Sequence, residues 1–123
     1  MKQEDKDLLL KDICTRLPYR VRCNYYDCCE GDYDNGTICG FERREYIQID
    51  GVCIHIEEVK PYLLPLSSMT EEQKEEYNNL NCYELGCFPH TEEALDYLIK
   101  NHFDYRYLID KDLAIDATGL NIY

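Results

Sequence analysis

The sequence predicts an α+β domain with an N-terminal helix, a small antiparallel sheet and C-terminal helices. Three observations predict it. Residues 4–16 carry apolar side chains at helical spacing. Residues 44–57 alternate about Asp50-Gly51 as a hairpin does. Thr70 and Thr91 each precede a pair of glutamates that opens a run of helix-forming residues, the pattern of a helix N-terminus.

Taken in order, Leu9, Ile13 and Leu17 fall at i, i+4 and i+8, with Leu10 and Cys14 beside them. Leu17-Pro18 closes this helix, because a residue before proline is pushed out of the helical region. Residues 19–26 read as a strand, with Tyr19, Val21, Cys23 and Tyr25 alternating against Arg20, Arg22, Asn24 and Tyr26. Residues 27–36 read as a turn-rich loop, and Asn35-Gly36 is a strong turn dipeptide because both residues tolerate positive φ. A strand across 37–42 follows, containing Ile38 and Phe41.

A two-residue turn at Asp50-Gly51 pairs Ile49 with Val52, Ile47 with Ile54 and Glu45 with Ile56 on one face. The other face carries Gln48–Cys53, Tyr46–His55 and Arg44–Glu57, so one side is mostly aliphatic and the other polar. Residues 60–66 are extended, and Pro61 and Pro65 suit an edge or a crossing segment. Thr70 with Gln73 forms a capping box that starts a helix running to about residue 80. Thr91 starts another, with Leu95, Leu98, Ile99 and His102 on its apolar face. Asp104 as N-cap, between Phe103 and Leu108 as a hydrophobic staple, predicts a short third helix. The stretch from Leu113 to Tyr123 is apolar enough to pack back on the domain. The expectation is one domain over 1–123, with a helix at 4–16, a sheet at 19–60 and a helical part at 70–112. Several short strands with tight turns would allow the sheet to curl into a small SH3-like barrel.

The 123 residues carry 13 Lys and Arg against 25 Asp and Glu, a formal net charge of −12. Such a surface repels phosphate backbones, which argues against direct nucleic-acid binding. Residues 1–60 hold 13 acids and 9 bases, and residues 61–123 hold 12 acids and 4 bases, so the second half is the more acidic. The apolar stretches fall far short of the roughly 20 residues that span a bilayer. Met1 is followed by a mixture of Lys, Gln, Glu and Asp that does not read as a secretory signal. The expectation is a cytoplasmic protein without a membrane partner.

Eight cysteines, Cys14, Cys23, Cys28, Cys29, Cys39, Cys53, Cys82 and Cys87, admit three readings. A disulfide framework needs an oxidising compartment. Zinc would use Cys23 with Cys28 and Cys82 with Cys87, joined by His90, but no Cys-x2-Cys knuckle occurs. Reduced thiols, packed as small hydrophobes or partly exposed, suit Cys14 and Cys53 best, since both sit inside periodic segments.

No phosphate-binding glycine loop is present, and none of His55, His90 and His102 sits in a hydrolase or metalloprotease motif. His102 reads as a packing residue, His55 as a surface partner of Tyr46. Cys87 and His90 are close in sequence, which alone does not make a nucleophile and base. A calcium loop with Gly36 at its sixth position fails, because Gly31 and Tyr33 would occupy ligand positions. No catalytic residue, cofactor or metal is assigned.

Twelve tyrosines and no tryptophan are unusual. Tyrosine suits interfaces, offering a rigid apolar body with a polar tip, and suits strands equally. Tyr25, Tyr26 and Tyr33 flank the acidic run of Asp27, Glu30, Asp32 and Asp34, making that loop the candidate interaction surface. Arg20, Arg22, Arg43 and Arg44 are the one cluster that could hold an anionic ligand such as a nucleotide.

Three segments carry a resemblance: residues 7–19 (DLLLKDICTRLPY), residues 59–72 (VKPYLLPLSSMTEE) and residues 103–116, from FDYR through Leu108-Ile109 to LAID. The chain resembles a group of small uncharacterised proteins of Bacteroides-type gut bacteria and their phages. That pattern has Gly where this chain has Arg20 and Tyr107. The resemblance implies a cytoplasmic, phage or mobile-element setting and no activity. The expected function is a non-enzymatic acidic protein that docks on a basic surface of a host protein. The alternatives are a small-ligand (nucleotide) binder and a zinc-stabilised interaction module.

Overall fold

A computed structural model describes residues 1–43, 45–81 and 91–123. Helix α1, Gln3–Arg16, buries Leu9 and Ile13 as its spacing requires. Asp12 and Arg16 share that buried face. Cys14 is exposed. A single 3-10 turn, Leu17–Tyr19, follows with Pro18 in its first positions, and Arg20 then adopts φ 54. The chain therefore enters its first strand later than expected: β1 is Arg22–Asp27. The alternation survives, with Val21, Cys23 and Tyr25 buried.

Strand β2, Asp32–Arg43, pairs antiparallel with β1 from Asp27↔Asp32 to Arg22↔Thr37. The loop is thus only residues 28–31, and Asn35 and Gly36 lie inside the strand opposite Asn24 and Cys23. The turn forms early because Asp27 supplies its chemistry. Its Oδ1 accepts the N–H of Cys29 at 2.9 Å and of Glu30 at 3.4 Å. Its carbonyl takes the Gly31 N–H at 2.8 Å, and Gly31 provides φ 72. Gly36 serves a different need: a Cβ there would sit 2.5 Å from Ile49 Cγ2 and 2.8 Å from Asp50 Oδ2.

Strands β3, Tyr46–Ile49, and β4, Val52–His55, pair in the expected register, with Ile47 opposite Ile54 and Ile49 opposite Val52. Asp50 and Gly51 have φ 47 and 89, the two left-handed residues that this tight turn demands. Ile47, Ile49 and Ile54 are buried; Cys53, on the opposite face with Gln48, is exposed, as is Val52 beside the turn. The Ile56 N–H donates to the Glu45 carbonyl at 2.8 Å, and the ladder ends in a 3-10 turn, Ile56–Glu58. The expected Arg44–Glu57 pair falls outside the described residues through Arg44; Glu57 binds Lys6 at 2.8 Å.

Strand β5, Val59–Pro65, lies inside the sheet. Residues 59–61 pair antiparallel with β1. Beyond Pro61 the strand changes partners and runs parallel to β6, Phe103–Asp104, and β7, Ile115–Asp116. The proline without an N–H thus sits at the changeover. The order is β4-β3-β2-β1-β5-β6, with β7 also on β5. The seven-stranded sheet is therefore mixed, not wholly antiparallel, and does not close into an SH3-like barrel, because the path ends at β4 and at β6.

Helix α2, Glu71–Asn81, begins with the expected capping box: Thr70 Oγ1 accepts the Gln73 N–H at 3.2 Å, and Gln73 Oε1 accepts the Thr70 N–H at 2.9 Å. Helix α3, Glu92–Lys100, is capped by Thr91 Oγ1 on the Ala94 N–H. His102 lies beyond α3 at φ 65, not on its face. The short helix expected after Asp104 does not form. Asp104 does cap, but its two carboxylate oxygens accept the N–H of Leu108 and Ile109, each at 2.9 Å. Tyr107 at φ 58 breaks any helical path between them. Phe103 and Leu108 are both buried, in different clusters, so they form no staple.

One core cluster joins Leu9 and Ile13 of α1 to Val21, Ile38, Ile47, Val59 and Leu63 of the sheet, with Leu108 and Leu113. A second joins Met69, Tyr77, Leu98, Ile99 and Phe103 around α2 and α3. The C-terminal stretch packs back as expected. Tyr123 Oη accepts the Arg22 N–H at 2.9 Å and donates to the Tyr62 carbonyl at 2.8 Å, bridging β1 and β5 where they separate. No helix among the described residues is long and apolar enough to cross a membrane.

Candidate functional site

The β1–β2 hairpin carries the candidate residues. The Ile38 N–H bonds to the Val21 carbonyl at 2.9 Å, which sets the alternation of the pair. Residues 32, 34, 36 and 38 therefore bond toward β1, and the N–H groups of Tyr33, Asn35 and Thr37 point to the opposite edge. Strand β3 covers that edge only from Ile38 onward. Between Gly31 and Asn35 the strand is exposed.

Each outward N–H is nevertheless occupied. Tyr33 donates to Asp32 Oδ1 at 2.7 Å, Asn35 to Asp34 Oδ1 at 2.8 Å and Thr37 to Asp50 Oδ2 at 3.2 Å. Asp27, Glu30, Asp32 and Asp34, with Tyr33, line an open concavity of about 460 Å³ at the tip. Among the described residues no Lys or Arg pairs with these carboxylates or with Asp50. Elsewhere acids do find cations, as in Lys60–Asp112 at 2.9 Å and Lys74–Glu71 at 3.3 Å.

Tyr26 and Tyr33 are a pair without mutual backbone bonds, the closer kind, and their rings meet edge to face at 5.2 Å and 65°. Tyr33 is 66% exposed. Tyr25 belongs to the other face and is buried, which removes it from the surface expected for it. Burial, with the charges of Asp34 and Asp27, raises the pKa of its hydroxyl. The neighbouring Cys28 and then Asp27 hold the Cys29 thiol protonated above its usual range. Burial pushes Cys23 up to about 12. Neither thiol is primed as a nucleophile.

Of the four arginines expected to form an anionic-ligand cluster, the side chains of Arg20 and Arg22 are described. Arg22 Nη1 donates to Thr37 Oγ1 at 2.8 Å, and Arg20 is exposed on the preceding turn. The Arg43 backbone lies six residues along β2 from Thr37, about 20 Å of strand. The Arg43 side chain and Arg44 fall outside the description, as do Cys82, Cys87 and His90 of the zinc and nucleophile readings. Among the described residues no three His, Cys, Asp or Glu side chains are grouped to hold a metal ion.

A second charged constellation, absent from the sequence reading, lies beneath α1. Arg16 and Asp12 are both 0% exposed and joined by Nε–Oδ2 at 2.7 Å. Arg106 Nε approaches Asp12 Oδ1 at 3.3 Å. Arg16 Nη2 donates to the Phe103 carbonyl at 2.7 Å, and both guanidinium groups lie over the Tyr105 ring. Apart from Arg16 Nη1, which is buried without a hydrogen-bond partner, the partners are internal, and the network fastens α1 to the segment after α3.

His55 is also internally satisfied. Its Nε2 meets Glu45 Oε2 at 3.1 Å, its Nδ1 accepts the Glu57 N–H at 3.2 Å, and Tyr46 stands edge-on to the ring. Comparison with protein-family models, with curated proteins and with solved structures finds no match to the chain.

Proposed function

We propose that this is a non-enzymatic binding protein that docks the tip of its β1–β2 hairpin on a basic surface of another protein. The observation that carries the reading is the combination at the tip. Tyr33 is two-thirds exposed on a strand, and carboxylates without a cationic partner among the described residues surround it. An exposed aromatic ring contributes most when a partner covers it, and uncompensated charge selects the sign of that partner. The chain's −12 charge works in the same direction by steering a cationic partner inward. In the phage or mobile-element setting that the resemblance implies, the partner would be a host nucleic-acid-binding or defence protein, with carboxylates standing in for phosphates.

The test is affinity capture from host lysate at low and moderate salt. The native chain is compared with a Glu30→Gln, Asp32→Asn, Asp34→Asn, Tyr33→Ser variant. These changes keep hydrogen-bond acceptors at the capped positions, so the hairpin is preserved. The expected result is a basic protein held by the native chain, weakened by salt and lost with the variant. Equal capture by both chains, or none at low salt, would refute the reading.

A further inference from the structure

The reading above leaves the contact chemistry open, and the inference that follows rests on it. We infer that the uncovered edge of β2 receives guanidinium groups from an arginine-bearing segment of the partner, and not an added β-strand.

An uncovered edge ordinarily presents alternating N–H and C=O groups, which pair with an incoming strand. This edge has lost its donors. The N–H groups of Tyr33, Asn35 and Thr37 are held by the carboxylates of Asp32, Asp34 and Asp50. By the same alternation the carbonyls of Tyr33 and Asn35 point outward beside them. What remains is a row of acceptors: carboxylate oxygens interleaved with backbone carbonyls. A strand docking here would bring its own carbonyls against carboxylates and find no donor for them. A ligand that only donates finds every position complementary.

Guanidinium fits this row better than ammonium. Its planar fork of five N–H donors can span a carboxylate oxygen and an adjacent carbonyl at once. Its plane can also lie on an aromatic face, and Tyr26 holds Tyr33 by its edge while leaving that ring largely exposed. Charge agrees: Asp27, Glu30, Asp32, Asp34 and Asp50 share this end of the sheet, and among the described residues no Lys or Arg pairs with them, Arg22 reaching Thr37 Oγ1 instead.

The experiment is an amide NMR titration of the intact chain at low salt with four capped pentapeptides. They are Gly-Arg-Gly-Arg-Gly, its lysine counterpart, its citrulline counterpart and a neutral strand-forming Thr-Val peptide. The arginine peptide should shift the amides of residues 26–35 and bind about three- to fivefold tighter than the lysine peptide, the increment of an exposed cation–π contact. The citrulline and Thr-Val peptides should leave those amides unmoved. Tyr33→Leu, at an exposed position that does not threaten the fold, should bring the arginine peptide down to the lysine level. Equal binding of lysine and arginine at the hairpin would overturn the guanidinium inference while leaving a basic partner in place. Binding of the Thr-Val peptide, or no shift at residues 26–35 with any peptide, would overturn it outright, and lysate capture would then decide the broader reading separately.

Discussion

Acid should loosen this fold through His102. Its ring stacks on Tyr123 at 3.6 Å and 8°, and its Nδ1 is buried without a hydrogen-bond partner. Burial first, and then the nearby Arg16 charge, lower its pKa from 6.5 to about 4. The folded chain therefore favours the neutral ring. Its contribution is complete above pH about 6.5 and drains away as pH falls toward 4. A difference of roughly 2.5 pH units corresponds to at most about 3 kcal/mol, a ceiling because the ring is partly exposed to screening solvent. Asp104 works in the opposite sense: burial raises its pKa, so protonating it returns some stability near the bottom of that window. The assay is urea unfolding at pH 7.5, 5.5 and 4 for the native chain and for His102→Asn. Asparagine tolerates the left-handed backbone and does not titrate. The native chain should lose up to about 3 kcal/mol more than the variant over this range. Parallel stability curves, or a His102 imidazole that titrates near 6.5 by NMR, would refute the argument.

Two further sites probe the rest of the fold. Asp12→Ala leaves Arg16 buried without its carboxylate and should cost about 3–5 kcal/mol by thermal or urea unfolding. Replacing both members of the pair with apolar side chains, Asp12→Leu together with Arg16→Met, should recover most of that loss. Arg20→Gly relieves a left-handed backbone at an exposed residue, and Tyr107→Gly does the same. Each should leave stability unchanged or raise it by up to about 1 kcal/mol, since the relief of L-residue strain is offset by the greater freedom of glycine when unfolded. A clear loss with either substitution would mean that the side chain makes a contact worth more than the strain.

What could be read from the chain depended on whether a signal was local. The Asp50-Gly51 hairpin and the Thr70 and Thr91 caps came out as expected because turn residue, alternation and capping partner lie within a few positions of one another. The Asn35-Gly36 turn failed because two turn signals competed. Asp27 and Gly31 close the loop first, and β1 and the Asp50 hairpin then hold Gly36 in a strand whose neighbours leave no room for a Cβ. The helix expected after Asp104 failed similarly: a correct capping residue was assigned a helix, whereas Phe103 and Asp104 are taken by β5 as a parallel partner. Parallel pairing couples residues some forty positions apart, so no window of local sequence reports it.

The charged groups show the same division more sharply. Asp12 and Arg16 stand with Leu9 and Ile13 at i, i+3, i+4 and i+7, so their burial was written in the periodicity that placed the helix. At the hairpin the acids were visible from composition, but which edge they guard was not. That depends on the β1–β2 register, and the register on where Asp27 turns the chain. Had Asn35-Gly36 formed the turn, Asp32 and Asp34 would lie in a loop and cap no strand edge. The same carboxylates would then be a diffuse negative surface. Placed in register, they take the N–H groups of an uncovered strand and turn a potential aggregation edge into one that accepts only donors. The specificity proposed for this surface therefore rests on the turn position more than on the count of its charges.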